Sequence, residues 1–336
     1  MATLRTLVQH AVPTAAGVAL DRGRSAEAAR RGVALLRLFE ASDEALALGR
    51  FHPAVPGAMG GGVVRRLSGG RVFPAGPGFL GVSLALPRWS TLPWESQPLR
   101  AEQVMNRAVR PLLGALAALG LDAAYPGRDL VTVGGKPIGW ISIGSEDGES
   151  ALVEMGLAVA SDLARLPMLA DRLDPGGAVA VTPWLPDDVT SVERECGPTP
   201  MHDVVTAVLE GWRARLGVDV VLDDGAPAAG AGDSGALAWD VAPGYARRGE
   251  RRTMLGTLVA RLSLGADGTV AGVRLCGDLI APRPTVLTLE AALRGIVPER
   301  ASLAAALGRV VARPEHFLLG VTADDVAAAV AAGAAA

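Results

Sequence analysis

Three short stretches hold side chains whose type and spacing could do chemistry. The first is LVTVGGKPIGWISI, residues 130–143. The chain carries 32 lysine and arginine residues, and only Lys136 is a lysine. A compact ammonium can meet a carbonyl or phosphate oxygen in a way that the planar guanidinium cannot. Strand alternation puts Lys136, Ile138 and Trp140 on one face, with the ammonium at the edge of an apolar wall. A solvated hairpin lysine is the plainer reading of the same position. The second stretch is VVRRLSGGRV, residues 63–72. Gly69 and Gly70 let the backbone approach an anion closely, beside Ser68. Arg65, Arg66 and Arg71 add charge-assisted donors suited to phosphate or carboxylate. The third is PGRDL, residues 126–130. Asp129 there could hold magnesium, an amine or a neighbouring arginine, or simply shape a turn.

Other chemistries find little support. His10, His52, His202 and His316 are dispersed, without a zinc-type grouping with cysteine. Cys196 and Cys276 show no CxxC spacing, so neither a metal site nor a disulfide framework is expected, and a reducing cytoplasm fits. GDSG at 232–235 has no plausible histidine setting, and GAMGGGVV at 57–64 lacks the spacing of a P-loop. Net charge is −3 with arginine pairs scattered among acids, which disfavours nucleic acid as partner. No run approaches 18 apolar residues, so no membrane span is expected.

The elements that must position these residues follow from periodicity. GVALLRLFE and EALALGRF read as strands, and AEQVMNRAVRPLLGALAALG as a helix ending at Gly120 with a bend expected at Pro111. Gly134–Gly135 between LVTV and KPIGWISI signals a two-residue hairpin. SDLARLPMLADRL reads as a helix capped by Ser161, and MHDVVTAVLEGWRARLG as a second amphipathic helix. At 336 residues, half of them hydrophobic, two domains are expected. The small, Gly/Pro-rich residues 223–238 read as a linker. They separate a large mixed domain, 1–222, from a smaller one, 239–336. The smaller domain starts with the strands TMLGTLVARLSL and TVAGVRLCG, followed by three helices, the last opened by a Thr322/Asp325 capping box. The class is α/β (α+β).

In order and spacing these elements resemble the lipoate-protein ligase A family, within the biotin/lipoate ligase and octanoyltransferase superfamily. VALD at 18–21 is similar to the family's ALDEAL-type helix, and Gly49–Arg50 to its strand-end Gly-Arg. RRLSGG matches its RRxSGG loop, and GRDLVTVGGKPIG its segment in which Asp129 precedes the lysine of a KxxG motif, here Lys136 and Gly139. VRLCGDLIAPRPTVLTLEAALRG looks like its C-terminal accessory domain. The resemblance spans nearly the whole chain. It departs at Ala75, where the family has a histidine, at Arg128 for an asparagine, and at Trp140–Ile141 for a serine-rich continuation.

The resemblance implies a mixed-sheet biotin/lipoate ligase-like catalytic domain with a small α+β accessory domain. It implies ATP-dependent adenylation of lipoate, octanoate or a related acid, and acyl transfer to a lysine of a carrier domain. Partners would be lipoyl domains of 2-oxo acid dehydrogenase E2 or glycine-cleavage H type. Lys136 would be the catalytic cation. Arg50, Arg65, Arg66, Ser68, Gly69, Gly70, Arg71, Gly76 and Gly78 would hold nucleotide and acid. Trp140, after Gly139, would line the acyl chain with Ile138, and Asp129 would sit near the nucleotide or its magnesium. The departures point to a different acyl substrate or a specialised paralogue that binds an acyl group or carrier without catalysis. A transferase using an acyl thioester is a third reading. Neither cysteine stands where such an enzyme keeps its nucleophile.

Overall fold

The apolar runs before residue 223 build a sheet covered on both faces, which makes several of its strands nearly continuous in hydrophobicity. A computed structural model describes residues 3–53, 62–177, 179–223, 239 and 244–336. The chain begins with β1 (Thr3–Val12), α1 (Thr14–Arg31), β2 (Leu35–Ala41) and β3 (Ala45–Leu48). Next come β4 (Val63–Arg65), β5 (Phe73–Ala75), β6 (Phe79–Leu86), α2 (Ala101–Ala118) and β7 (Ala123–Ala124). The hairpin strands β8 (Leu130–Val133) and β9 (Lys136–Gly144) precede β10 (Ala151–Ala158) and α3 (Arg165–Leu173). Then follow α4 (Val192–Cys196), α5 (Met201–Leu216) and β11 (Asp219–Leu222). The C-terminal region holds β12 (Arg247–Arg252), β13 (Thr257–Leu264), β14 (Val270–Gly277), α6 (Arg283–Ala292), α7 (Arg300–Val311) and α8 (Ala323–Ala335).

Eight strands form one sheet in the order β11-β1-β2-β6-β10-β9-β8-β7. It is parallel among β11, β1 and β2, and antiparallel from β2 onward. On one face α2 and α5 supply Val104, Leu112, Val208 and Trp212 to the main core, against Ile138, Ile141 and Ile143. On the other, α3 and the small sheet β4-β3-β5 enclose Phe73, Trp140, Leu166 and Leu169. β12, β13 and β14 with the last three helices form a third core, which Phe51 enters from the chain after β3. The architecture is mixed α/β with a C-terminal α+β region.

The hairpin turn falls at Gly134–Gly135, with φ of 56° and 80°, the left-handed pair that a I′ turn demands. α2 runs through Pro111, and the Thr322/Asp325 capping box opens α8 with bonds of 2.7–3.1 Å. Ser161 is not a helix cap: α3 starts at Arg165, and the Ser161 hydroxyl instead donates to the Pro77 carbonyl at 3.1 Å. β12, RRGERR, shows no apolar alternation because it is a surface strand. Gly249 at its middle lets it lie against α8, where a Cβ would stand 1.9 Å from the Ala329 carbonyl oxygen. The proposed linker, but for Asp223, and GDSG lie outside the described residues.

Candidate active site

The glycine loop between β4 and β5 passes through a gap that only backbone can fill. A Cβ on Gly49 would lie 1.9 Å from the Gly70 carbonyl oxygen, and one on Gly69 would lie 1.8 Å from that of Leu279. Glycine at both positions is therefore a requirement of close approach. Three bonds fix the loop's course. Ser68 N–H donates to Glu154 Oε2 (2.7 Å), Ser142 Oγ donates to the Gly69 carbonyl (3.0 Å), and Gly70 N–H donates to the Leu279 carbonyl (2.6 Å).

Arg66 turns inward from this loop and is buried. Nη2 donates to the carbonyls of Gly69 and Arg71, both at 2.9 Å. Its guanidinium lies 4.3 Å from the centroid of Trp140 and 5.2 Å from that of Phe73. Nε and Nη1 are buried without a hydrogen-bond partner. Desolvation brings Arg66 down to about 10, against the pull of Glu154, Asp129 and Asp278. Burial likewise raises Glu154, with Arg66 opposing. An arginine keeps its charge at such a value, so two strong donors point at no acceptor, which is costly unless an anion completes the arrangement.

Arg71 forms a two-pronged pair with fully buried Asp129, Nε to Oδ2 at 2.7 Å and Nη2 to Oδ1 at 3.2 Å. Both carboxylate oxygens thus face Arg71, and Asp129 takes the arginine among the partners its sequence left open. No group of three or more His, Cys, Asp or Glu side chains able to hold a metal occurs among the described residues. A magnesium ion at Asp129 would have to share its carboxylate with Arg71. Asp278, after β14, completes the surround: it accepts from Thr257 N–H at 2.7 Å, and burial pushes it up to about 6 despite Arg71.

The remaining expected residues are placed elsewhere. Arg50 pairs with Glu146 and lies 5.4 Å from the Trp239 ring centroid, toward the C-terminal core. Arg65 donates to the carbonyls of Gly49 and His52. Gly76 and Gly78, with φ of 144° and 85°, shape the β5–β6 turn. A Cβ on Gly139 would sit 2.5 Å from the Gly156 carbonyl oxygen, so this glycine lets β9 and β10 close up. Lys136 is exposed at the hairpin end, with no ion pair or side-chain hydrogen bond among the described residues.

The expected shared face of Lys136, Ile138 and Trp140 is not formed. The β8–β9 register shifts so that Thr132 faces Pro137 and Val131 faces Gly139, leaving Ile138 as an extra residue. Ile138 joins Ile141 and Ile143 in the main core, while Trp140 lies across the sheet with Phe73. A cavity of about 60 Å³ opens beside Arg66, lined by Trp140, Ala75, Gly76, Phe79 and Glu154 among others. Ile138 does not line it. Glu154 was not singled out from sequence, and Asp278 entered only as the Gly-Asp of the accessory-domain stretch, with no role at this site. The signal for Glu154 was its position, one carboxylate inside the apolar strand ALVEMGLA.

Residues 36–213 match the family described as the lipoyl protein ligase A/B catalytic domain. No curated protein matches the chain. Among solved structures, the chain is similar to P. falciparum LipL1 in complex with lipoate. That match has a TM-score of 0.64 and 9% identity, covering 90% of this chain and 94% of the other. T. acidophilum Ta0514 with bound lipoic acid matches with a TM-score of 0.50 and 19% identity, over 66% of this chain and 89% of that one. A lipoate-protein ligase A bound with ATP matches with a TM-score of 0.50 and 18% identity, over the same shares. At these identities the likeness is one of fold.

Proposed function

Because the chain belongs to the lipoyl protein ligase A/B catalytic domain family, we propose that it is an acyl-adenylate-forming ligase that acylates a lysine on a lipoyl-type carrier domain. The family is one of ligases and transferases. The observation that carries the finer reading is Arg66: a buried guanidinium with two unpartnered donors, lining an apolar cavity. In the first step a carboxylate oxygen of the acid attacks the α-phosphorus of ATP. The bond from that phosphorus to the bridging oxygen breaks, and pyrophosphate leaves. In the second, the carrier amine attacks the acyl carbonyl, AMP departs with the electron pair, and the amine proton passes to solvent. Negative charge at the acyl and phosphoryl oxygens meets the fixed Arg66 donors, which need no reorganisation as the charge develops. Magnesium would enter with ATP as substrate. Lys136 as the catalytic cation rests on the family pattern, and its exposed ammonium is available to a ligand.

A thioester route is disfavoured. Cys276 lies in the C-terminal core with its thiol pushed up to about 12 by burial, and Cys196 is exposed, bonded to the Leu119 carbonyl. A binding role without catalysis is supported by the Gly70 N–H, already occupied by Leu279. The test is acid-dependent exchange of pyrophosphate into ATP, together with mass analysis of a lipoyl domain incubated with enzyme, ATP and acid. Exchange and an acylated carrier support the ligase. Acid binding by calorimetry without exchange leaves the binding role.

A further inference from the structure

At the centre of the large sheet two glycines face each other, Gly81 of β6 and Gly156 of β10. In the same row Phe39 of β2 lies opposite Gly81, and Trp140 of β9 lies opposite Gly156. Neighbouring strand glycines leave a trough bare of side chains. Here both flanking rings lean into it. A Cβ on Gly81 would stand 2.3 Å from the Phe39 ring, and one on Gly156 would stand 2.2 Å from the Trp140 indole nitrogen.

Both rings are held. Phe73 stacks on Trp140 at 4.8 Å between centroids with planes 6° apart, and Trp184 stacks on Phe73 at 5.9 Å and 18°. Phe39 carries the Arg37 guanidinium 3.9 Å from its centroid. The next row along the sheet is polar and buried: Arg37, Ser83, Glu154 and Ser142, in register on four adjacent strands. Asp21 binds it from α1, 3.0 Å from Arg37 and accepting from Ser83 at 2.6 Å. The trough is therefore filled from its sides by pinned rings and bounded along the sheet by partnered charges.

What remains is the cavity of about 60 Å³ beside Arg66. An engineered apolar cavity of roughly 150 Å³ takes up benzene, so 60 Å³ suits about two or three heavy atoms beyond the carboxylate. We propose that Trp140 and Phe39 set the acyl chain length, restricting the acid to a short chain of about three or four carbons with its carboxylate toward Arg66. The inference rests on the acyl-adenylation reading and names the substrate class of that site.

The test is pyrophosphate exchange and calorimetry with acetate, propionate, butyrate, hexanoate, octanoate and lipoate. It is run on the wild-type chain, Trp140→Ala and the milder Phe39→Leu. Wild type is expected to favour propionate or butyrate over octanoate by tenfold or more. Trp140→Ala is expected to move the optimum to longer acids, each methylene newly buried adding about fourfold. Wild-type exchange with octanoate or lipoate equal to that with butyrate overturns the inference, and this comparison needs no variant to fold. If no acid supports exchange, the adenylation reading falls and calorimetry decides the pocket alone. Butyrate bound more tightly than octanoate upholds the chain-length limit; equal binding, or none of any acid, overturns it.

Discussion

Arg66 concentrates the electrostatics of the site in one side chain. Replacing it by lysine keeps a charge but loses the planar guanidinium, whose Nη2 holds Gly69 and Arg71 while Nε and Nη1 stay free. Arg66→Lys is expected to lower kcat for acid activation by about 100-fold or more, the scale of losing a transition-state donor, as measured by pyrophosphate exchange. Lys136→Arg tests a different kind of evidence, since the geometry leaves that ammonium in solvent. At least a tenfold loss of exchange is expected, and activity at the wild-type level would remove Lys136 from the machinery. Asp278 titrates in a measurable window. Its folded value, about 6, lies above the unfolded one, so the native state binds the extra proton. Its contribution to stability is therefore present at low pH and is lost as pH rises from about 4 to about 6, by roughly 1–3 kcal/mol. Denaturant titration across that range should show the slope, and Asp278→Asn should flatten it. Arg66, Arg71 and Asp129 were legible in the sequence because glycine-loop arginines and a turn aspartate are local patterns. Glu154 and Asp278 were not, because only the packing of β10 and the C-terminal hairpin against the loop brings them there.

At the scale of elements, the helices and strands read from periodicity formed, α3 only from Arg165 rather than after a Ser161 cap, and the Gly134–Gly135 turn was written in its residues. The exception is the bulge at Ile138, which moved half of an expected face across the sheet. Pro137 was the available signal, since proline inside a strand belongs at an edge or a bulge. β12 carried none, because a solvated strand of arginines, glycine and glutamate has no pattern to read. The close approaches around the loop give an element-level prediction. Gly69→Ala sets a Cβ against the Leu279 carbonyl oxygen, so loop or hairpin must shift. A loss of about 1–3 kcal/mol is expected, as for overpacking, seen as a lower denaturation midpoint at unchanged slope.

For the whole molecule, the division into 1–222 and 239–336 stays a proposal, and Phe51 is the place to probe it. Its ring meets Trp239 edge-on at 4.9 Å inside the C-terminal core, and its carbonyl accepts from Gly277 N–H at 2.9 Å. Phe51→Ala should cost about 3–5 kcal/mol, and calorimetry should show the C-terminal region melting apart from the rest. The large sheet carries a further consequence, for synthesis. β1 is completed on its outer side by β11, and the ion pair beside that seam joins Arg5 to Asp223, residues 218 apart. At translation rates of about 5–20 residues per second, β1 waits roughly 10–40 s on the ribosome before its neighbour exists. Through that interval a ten-residue strand offers an open row of hydrogen-bonding groups to any other nascent chain. Slowing translation after residue 41, once β2 has been made, should therefore lower the soluble yield more than slowing it after residue 223.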